Sequence, residues 1–331
     1  MERFMRTLVF GAGPLGCLYA HRLDKAGKDV TILARGHRHD WIQVNGLELI
    51  DEIAGERETS RPRVVDALRP DDEYDLVVVL IRKNKLASVF QVLAKNSNIR
   101  NILFMGNNAI GFGSYFDALP KEKLLFGFPG AGGGVREHVV CYADREKPGG
   151  KRKAITMGEI DGETRERTQA IKSLFESSGV PVDLTSDIDG WLKYHVALVS
   201  PLVNALYKHD CDNYALAHDR ETLRIMVRAA KEGGRILRAI GYAKRQPFQF
   251  NLFYWLPEIL NMKALQGLLR SKFAEVAFSM HAKAARDEMR ELAVGFRSLI
   301  EKTSIETPNI DRLKVYAAEY EAAQKDDLEN T

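Results

Sequence analysis

The chain contains 331 residues with a mass of 37.3 kDa, of which 45% are hydrophobic and 28% are charged. This length exceeds what one core usually supports and favours two domains, and the composition excludes disordered, collagen-like and disulfide-scaffold proteins. A net charge of +3, from 48 basic and 45 acidic residues, is too small to imply nucleic acid as a partner. Cys17, Cys141 and Cys211 lack CxxC spacing, so neither a disulfide framework nor a metal site is predicted, and a reducing cytoplasm is expected.

The first half of the chain alternates apolar, β-branched runs with helical patterns. The predicted strands are Thr7–Phe10, Val30–Leu33, Leu76–Ile81, Ile102–Met105, Lys123–Phe128, Val139–Tyr142 and Ala154–Met157, and a helix is predicted over Leu86–Ala94. Such alternation predicts a mostly parallel sheet with helices on both faces. The last two strands, joined by a turn at residues 146–150, are expected to extend this sheet in the antiparallel direction.

From Ser186 onward, helical periodicity replaces the strand pattern. The predicted helices are Ile188–Tyr207, Arg220–Ile240, Lys272–Lys302 and Arg312–Ala323. We therefore predict an α/β domain over residues 1–185 and an all-α domain over residues 186–331. Nothing at the N-terminus resembles a signal peptide, and Leu252–Leu260 is too short and too interrupted to cross a bilayer, so no membrane partner is expected.

A glycine-rich motif, GAGPLG from Gly11 to Gly16, directly follows the first predicted strand and opens a helical pattern. This context predicts a Rossmann dinucleotide-binding fold. Gly11 allows the tight turn, Gly13 lets the backbone approach a pyrophosphate, and Gly16 permits close packing of helix on strand. With Pro14 and Leu15, these residues place the N–H donors and the positive dipole end of a helix near the phosphates.

The end of the second predicted strand indicates which dinucleotide binds. An NAD site uses Asp or Glu there to accept the ribose 2′-hydroxyl. Here Arg35 follows the strand, and no acidic residue occurs before Asp40. Because an arginine can pair a 2′-phosphate through charge-assisted hydrogen bonds, NADP(H) is the predicted cofactor.

These features, in this order, resemble the ketopantoate reductase family, the NADPH-dependent 2-dehydropantoate 2-reductases. The resemblance rests on GAGPLG, on TILARG at residues 31–36, on Asn107 and Lys193, and on TPNIDRL at residues 307–313. It spans nearly the whole chain. It implies a Rossmann N-terminal domain, an all-helical C-terminal domain and a cleft between them.

The resemblance also implies a reaction, the reduction of ketopantoate to pantoate in pantothenate biosynthesis. In the family, hydride passes from NADPH to the C2 ketone of a 2-oxo acid, while a lysine hydrogen-bonds the ketone oxygen and acts as general acid. By position that lysine is Lys193. The chemistry is reasonable without the family, because a nearby ammonium stabilises the developing alkoxide and can supply its proton.

Four further site residues are assigned by the resemblance. Asn107 matches an asparagine beside the nicotinamide and the substrate, and Arg82 takes the place of a lysine that contacts the cofactor phosphates. Ser279 aligns with the serine that meets the substrate carboxylate, and Glu291 with the catalytic glutamate near the substrate hydroxyl. Glu288 competes for the glutamate role.

Two departures from the family concern the substrate. Asparagines that follow the family's lysine by one and two helical turns are replaced by Ala197 and by Pro201, or by Ser200 in a shifted alignment. Only Ser200 or Asn204 could restore a polar contact there. We therefore predict weak activity on ketopantoate and a preference for a bulkier or less hydroxylated 2-oxo acid.

Other interpretations stay open from the sequence. The chain could be a paralogue acting on a different keto substrate, or a non-catalytic NADPH-binding redox sensor, although Lys193 argues against the sensor. His195 is interpreted as a packing or surface histidine rather than as the acid. The apolar segment Phe250–Leu269 is predicted to cover the cleft or an oligomer interface, with a homodimer as the possible assembly.

Overall fold

The computed structural model describes residues 5–242 and 249–329, except for the side chains of residues 249, 252 and 323–329. The chain divides into two compact units. The first contains the residues up to Asn107 together with Gly111–Ile188, and the second contains Asn108–Ile110 and the residues from Asp189 onward. The main division therefore lies three residues after the boundary predicted at 185.

The first unit is built from short strands and five helices. Its strands are β1 (Thr7–Phe10), β2 (Val30–Leu33), β3 (Leu47–Asp51), β4 (Glu56–Ser60), β5 (Arg63–Val65), β6 (Tyr74–Val79), β7 (Ile99–Met105), β8 (Leu124–Phe128), β9 (Gly132–Arg136), β10 (Val139–Ala143), β11 (Ile155–Gly158) and β12 (Val182–Leu184). Its helices are α1 (Pro14–Lys25), α2 (Gly36–Asn45), α3 (Leu86–Ala94), α4 (Gly113–Ala118) and α5 (Glu166–Glu176), with 3₁₀ turns at Lys83–Lys85 and Lys121–Lys123.

Eight of these strands form one sheet in the order β12-β11-β8-β7-β6-β1-β2-β5. Neighbouring strands are parallel except for β11, which runs antiparallel to β8. Every residue of β1 and β2 is buried, which explains why both are mostly apolar and do not alternate with charged residues. The predicted α/β fold with a largely parallel sheet is confirmed.

One strand prediction was wrong. The run Val139–Tyr142, expected to extend the main sheet, is β10 and lies in a second sheet of order β4-β3-β10-β9. There β10 pairs in parallel with β3 and in antiparallel with β9. Helix α1 contacts strands of both sheets, so the second sheet buries a further face of that helix. Only β11, the other strand of the expected pair, extends the main sheet.

The second unit is helical. Its helices are α6 (Ile188–Tyr207), α7 (Asn213–His218), α8 (Arg220–Ala239), α9 (Gln249–Trp255), α10 (Glu258–Leu269), α11 (Lys272–Ala274), α12 (Met280–Ala284), α13 (Arg286–Ile300) and α14 (Pro308–Glu329). A π-helical segment, Glu275–Ser279, joins α11 to α12. The prediction of a single helix over Lys272–Lys302 is therefore wrong. The π-helical segment interrupts the α-helical geometry first, and Ala285 interrupts it a second time.

The segment from Phe250 to Leu269 forms α9 and α10. Phe250 is fully buried, whereas Trp255 is 65% exposed and Ile259 and Leu260 are each 44% exposed. The prediction that this segment covers a cleft or an oligomer interface stays a prediction. Within the described part of the chain, no helix has both the length and the apolar character needed to cross a bilayer.

Candidate functional site

The glycine loop connects β1 to α1 through a backbone that requires glycine at two positions. Gly11 has a φ of +120°, and a Cβ there would lie 2.8 Å from the carbonyl oxygen of Leu80. A Cβ at Gly16 would lie 1.8 Å from the carbonyl oxygen of Gly11. Pro14 is the first residue of α1, where its missing N–H costs no helical hydrogen bond. The loop is therefore a tight strand-to-helix turn in which the helix starts against the strand end.

Gly13 differs from the other two glycines of the motif. A Cβ at this position would meet no atom within 4 Å, and its φ of −73° and ψ of 180° are open to any residue. Neither backbone strain nor protein packing therefore requires glycine here. The open space lies at the N-terminus of α1, which has no side-chain cap, and it suits the close approach of a pyrophosphate to the backbone. The loop thus fits a dinucleotide.

We expect Gly13→Ala to weaken NADPH binding by about tenfold or more, because the added methyl group would occupy ligand space. The free energy of unfolding without cofactor should stay nearly unchanged, because that methyl group meets no protein atom within 4 Å. Gly16→Ala is the matched comparison and should destabilise the loop itself. Fluorescence titration with NADPH and thermal unfolding measure the two effects. Wild-type affinity in the Gly13→Ala variant would contradict a pyrophosphate at this loop.

Three more of the predicted cofactor residues follow neighbouring parallel strands. Arg35 comes after β2, Arg82 after β6 and Asn107 after β7, while Gly11 comes after β1. Since β7, β6, β1 and β2 are adjacent and parallel, their carboxyl ends lie at one edge of the sheet. Open α/β sheets bind their ligands at this edge. The structure therefore brings the predicted cofactor residues of the first unit to a common edge.

The arginines after β2 have different environments. Arg35 is the exposed N-cap residue of α2, with its guanidinium 5.9 Å from the centre of the Phe10 ring. Arg38 is partly buried and donates hydrogen bonds to the carbonyl oxygen of His138, at 2.7 Å, and to the Sγ of Cys17, at 3.3 Å. Arg38 is thus engaged in the fold, whereas Arg35 extends from the carboxyl edge toward solvent, where a phosphate can reach it.

Basic and amide groups continue along this edge. Arg82 is partly exposed, and next to it the Nζ of Lys83 donates to the hydroxyl of Tyr115 at 3.3 Å and lies 4.5 Å from the centre of its ring. Asn107 is 9% exposed. Its neighbour Asn108 is 2% exposed, and the Oδ1 of Asn108 accepts a hydrogen bond from the N–H of Ile110. The edge therefore carries the positive charge and hydrogen-bonding groups that a dinucleotide needs.

In the second unit, Lys193 lies on α6 and is only 3% exposed. Its Nζ forms an ion pair with Oδ1 of Asp189, one helical turn earlier. Oδ2 of Asp189 accepts a hydrogen bond from the Tyr242 hydroxyl at 2.6 Å. The Lys193 Nζ also lies 4.9 Å from the centre of the Tyr242 ring. Sequence reasoning missed Asp189 and Tyr242. The four-residue spacing of Asp189 and Lys193 was the available signal for the first.

His195 has a different environment from Lys193, two residues earlier on the same helix. Its ring stacks on Trp191, with centroids 5.1 Å apart and planes within 7°. Burial, with a smaller contribution from His281, lowers the pKa of His195 to about 3. The imidazole is therefore neutral near pH 7 and has no acidic proton comparable to that of an ammonium or imidazolium.

The residues that follow Lys193 on α6 pack inside the helical unit. Ala197 is 2% exposed, and a Cβ on Gly233 would lie 3.0 Å from its Cβ. Helix α6 continues through Pro201 to Tyr207. A small cavity of about 20 Å³ adjoins this part of the helix and is lined by Ala197, Ser200, Pro201, Asn204, Phe296, Ile310 and Leu313. Its lining is mostly apolar, with Ser200 and Asn204 as the polar side chains.

Asn204 lies 11 residues after Lys193, which corresponds to about 16 Å along a helix. The two side chains therefore do not contact the same end of a small keto acid, and Asn204 suits only the far end of a longer substrate.

Ser279 is buried at the end of the π-helical segment, and its hydroxyl donates to Oδ1 of Asn213 at 3.0 Å. Asn213 in turn donates to the carbonyl oxygen of Leu269 at 2.7 Å. The predicted contact of Ser279 with a substrate carboxylate therefore competes with an internal hydrogen bond.

The two candidate glutamates lie on α13. Glu288 is buried at 5% exposure, with an Oε2 4.0 Å from the Nε2 of His281, whereas Glu291 is partly exposed. Their roles stay a prediction. By contrast, the TPNIDRL segment begins α14, where the buried Glu232 accepts hydrogen bonds from the N–H groups of Asn309 and Ile310. That motif fixes a helix start.

The chain is similar to several known proteins. Residues 7–148 match the family model described as ketopantoate reductase PanE/ApbA, which confirms the resemblance drawn from the sequence over that part of the chain. A 2-dehydropantoate 2-reductase of Mesorhizobium japonicum is 26% identical over 210 residues, covering 57% of this chain and 63% of that protein. One from Pyrococcus horikoshii is 23% identical over 234 residues, covering 70% and 73%. The matched region thus spans less than two thirds of the first relative.

Solved structures extend the likeness to both units. A 2-dehydropantoate 2-reductase from Geobacter metallireducens has a TM-score of 0.74 at 15% identity, covering 95% of this chain and 99% of the other. A D-mandelate dehydrogenase, solved with NADH and anilino(oxo)acetate, has a TM-score of 0.75 at 13% identity, covering 96% and 98%. At these identities the structures establish the fold of the chain, an α/β unit followed by a helical unit.

Proposed function

We propose that the chain is an NADPH-dependent reductase of a 2-oxo acid. The observation that carries this proposal is the set of cofactor-type residues at one sheet edge: the open Gly13, the exposed Arg35, the basic Arg82 and the amide of Asn107. The names of the similar proteins, which are 2-oxo acid reductases and a 2-hydroxy acid dehydrogenase, support the reaction class.

The proposed chemistry needs a hydride, a proton and a group that stabilises negative charge. When bound, NADPH supplies the hydride to the ketone carbon. Lys193 donates a hydrogen bond to the ketone oxygen, stabilises the charge that develops there and then transfers a proton to it. Burial of Lys193 strengthens this stabilisation, because water competes less for an enclosed ammonium. Glu288 or Glu291 is proposed as the acidic residue near the substrate hydroxyl.

Two substrate classes are consistent with the reaction. Ketopantoate is the substrate class named for several relatives. Ala197 and Pro201 offer no side-chain hydrogen bond, and the mostly apolar lining of the cavity beside them favours instead a substrate with a less hydroxylated side chain. We propose the second class as the better substrate. A reducing compartment suits the chain, since Cys17, Cys141 and Cys211 are buried thiols.

The function is tested by following NADPH oxidation with ketopantoate, branched aliphatic 2-oxo acids and phenylglyoxylate. Turnover that depends on the 2-oxo acid supports a reductase. If the protein binds NADPH but reduces no member of the panel, the proposed reductase activity is contradicted and a redox sensor is favoured. The reverse reaction with the corresponding 2-hydroxy acids and NADP⁺ provides an independent check on the reaction type.

We expect Arg35→Ala to raise the KM for NADPH by roughly 10-fold to 100-fold with little change for NADH. Loss of a hydrogen bond to a charged phosphate costs about 1.5–3 kcal/mol, and NADH lacks that phosphate. Arg63→Ala is the matched control. Arg63 is the first residue of the neighbouring strand β5 and is also exposed, but its guanidinium pairs with Asp29. An equal rise in KM for NADPH and NADH would contradict a contact between Arg35 and the 2′-phosphate.

A further inference from the structure

The ion pair of Lys193 differs from an ordinary surface pair on a helix. An exposed pair four residues apart contributes little, because water and salt screen both charges. Lys193 is instead 3% exposed, and both oxygens of Asp189 are used, one by the lysine and one by Tyr242. A carboxylate held at both oxygens has a fixed orientation, so the ammonium beside it has a fixed direction as well.

Tyr242 is itself held in place by the end of α8. Its N–H donates to the carbonyl oxygen of Leu237 at 2.9 Å, and its carbonyl oxygen accepts from the hydroxyl of Tyr194 at 2.7 Å. Tyr194 is fully buried and packs edge-on against Phe250, with ring centroids 4.8 Å apart. These contacts place the Tyr242 hydroxyl against Asp189 and its ring against the Lys193 ammonium.

An ammonium buried at this depth needs compensation for its lost hydration. The Asp189 carboxylate and the Tyr242 ring both face the Lys193 Nζ. The carboxylate stabilises the protonated form of the amine, and an aromatic face adds a weaker attraction for a cation. Both interactions favour the proton-donating form of Lys193 over the neutral amine.

We propose that Asp189 and Tyr242 are positioning residues that keep Lys193 protonated and directed for proton transfer. This inference rests on the proposed function, in which Lys193 is the general acid. The ketone carbon gains a hydride from NADPH, and the oxygen gains the Lys193 proton. Lys193 is left as a neutral amine, which regains its proton from water. Asp189 neither gives nor takes a proton, and Tyr242 keeps its hydroxyl hydrogen bond to Asp189.

The test combines the pH profile of kcat/KM with an NMR titration of the Lys193 Cε resonance, assigned by its absence from Lys193→Arg protein labelled with ¹³C-lysine. In Asp189→Asn, we expect the alkaline limb of the profile and the midpoint of the titration to move together to lower pH, by about one unit or more. Tyr242→Phe keeps the ring but loses the hydroxyl, and we expect a smaller shift in the same direction. NADPH binding should stay within about twofold of wild type.

Glu176→Gln is the matched control, because it removes the carboxylate partner of Lys172 from an exposed pair with the same spacing. It should change neither measurement. Unchanged profile and titration in Asp189→Asn would overturn the proposal, even if thermal stability falls, because that pattern indicates a structural role alone. A shifted titration in a protein whose wild type reduces no 2-oxo acid would overturn the proposed function and leave the effect of Asp189 on the ammonium standing.

Discussion

Replacing Lys193 with methionine is expected to lower kcat by about 10²-fold to 10⁴-fold, the span usual for loss of a general acid. Methionine preserves most of the buried volume, whereas alanine would leave a cavity at a side chain that is 3% exposed. The variant loses both the proton and the positive charge that stabilises the alkoxide. NADPH affinity should change little, because the predicted cofactor residues belong to the first unit. Steady-state kinetics and an NADPH titration measure the two quantities.

Controls for this variant follow from the ion pair. Lys193→Met leaves the Asp189 carboxylate without its lysine, which can reduce stability independently of catalysis. The double variant Lys193→Met/Asp189→Asn removes the stranded charge and should recover stability without recovering turnover. Near wild-type kcat in Lys193→Met would assign the proton to another group. His195 is a poor replacement, because its pKa of about 3 leaves it neutral at pH 7.

The elements that the sequence predicted well are those whose own residues form a recognisable pattern. The bounds of β1 and β2 match the prediction because each is a short, fully buried and mostly apolar run. Helix α6 was also placed over Ile188–Tyr207, since its apolar period is long and uninterrupted. In the glycine loop, Gly11 and Gly16 were identifiable because the backbone there leaves no space for a side chain, whereas the role of Gly13 in admitting a pyrophosphate stays a prediction.

The missed elements depend on partners elsewhere in the chain. Strand β4 has the sequence ERETS, without apolar alternation, and exists through its pairing with β3. Strand β9 contains three glycines, and a Cβ at Gly133 would lie 2.5 Å from the carbonyl oxygen of Cys141 on the adjacent strand. The break at Ala285 carries neither proline nor glycine, so periodicity alone reads through it. Local propensity cannot report contacts of this kind.

The same distinction applies to the site. Asp189 could have been paired with Lys193 from their spacing on a predicted helix, but Tyr242 lies 53 residues after Asp189. Its contact with the carboxylate depends on how α8 ends beside α6, which no short motif encodes. At Ser279 the sequence suggested a contact for which the structure shows a competing partner. Alignment suggested a substrate ligand, whereas the structure gives its hydroxyl an internal partner in Asn213.

The packing around Ala197 and the chemistry of Pro201 bear on the substrate preference. Ala197 is 2% exposed, and a Cβ added at Gly233 would lie 3.0 Å from the Cβ of Ala197 and 3.4 Å from the Cζ of Phe296. The helix packing therefore leaves little room for a larger side chain at residue 197. Pro201, one turn later, supplies no side-chain donor and no N–H. The two amide contacts that the resemblance implies at these positions therefore have no counterpart in Ala197 and Pro201.

We therefore expect kcat/KM for ketopantoate to lie about 10²-fold or more below that of the best branched aliphatic or aromatic 2-oxo acid. Each polar group buried without a partner costs about 1–3 kcal/mol, and two contacts are lost. Kinetics over the panel, at saturating NADPH, measure the ratio. Ser200→Ala tests the shifted alignment, because it should lower activity on ketopantoate only if that hydroxyl supplies the missing contact. A ketopantoate value above about 10⁴ M⁻¹s⁻¹, the low end for competent enzymes, that exceeds all others would contradict the preference.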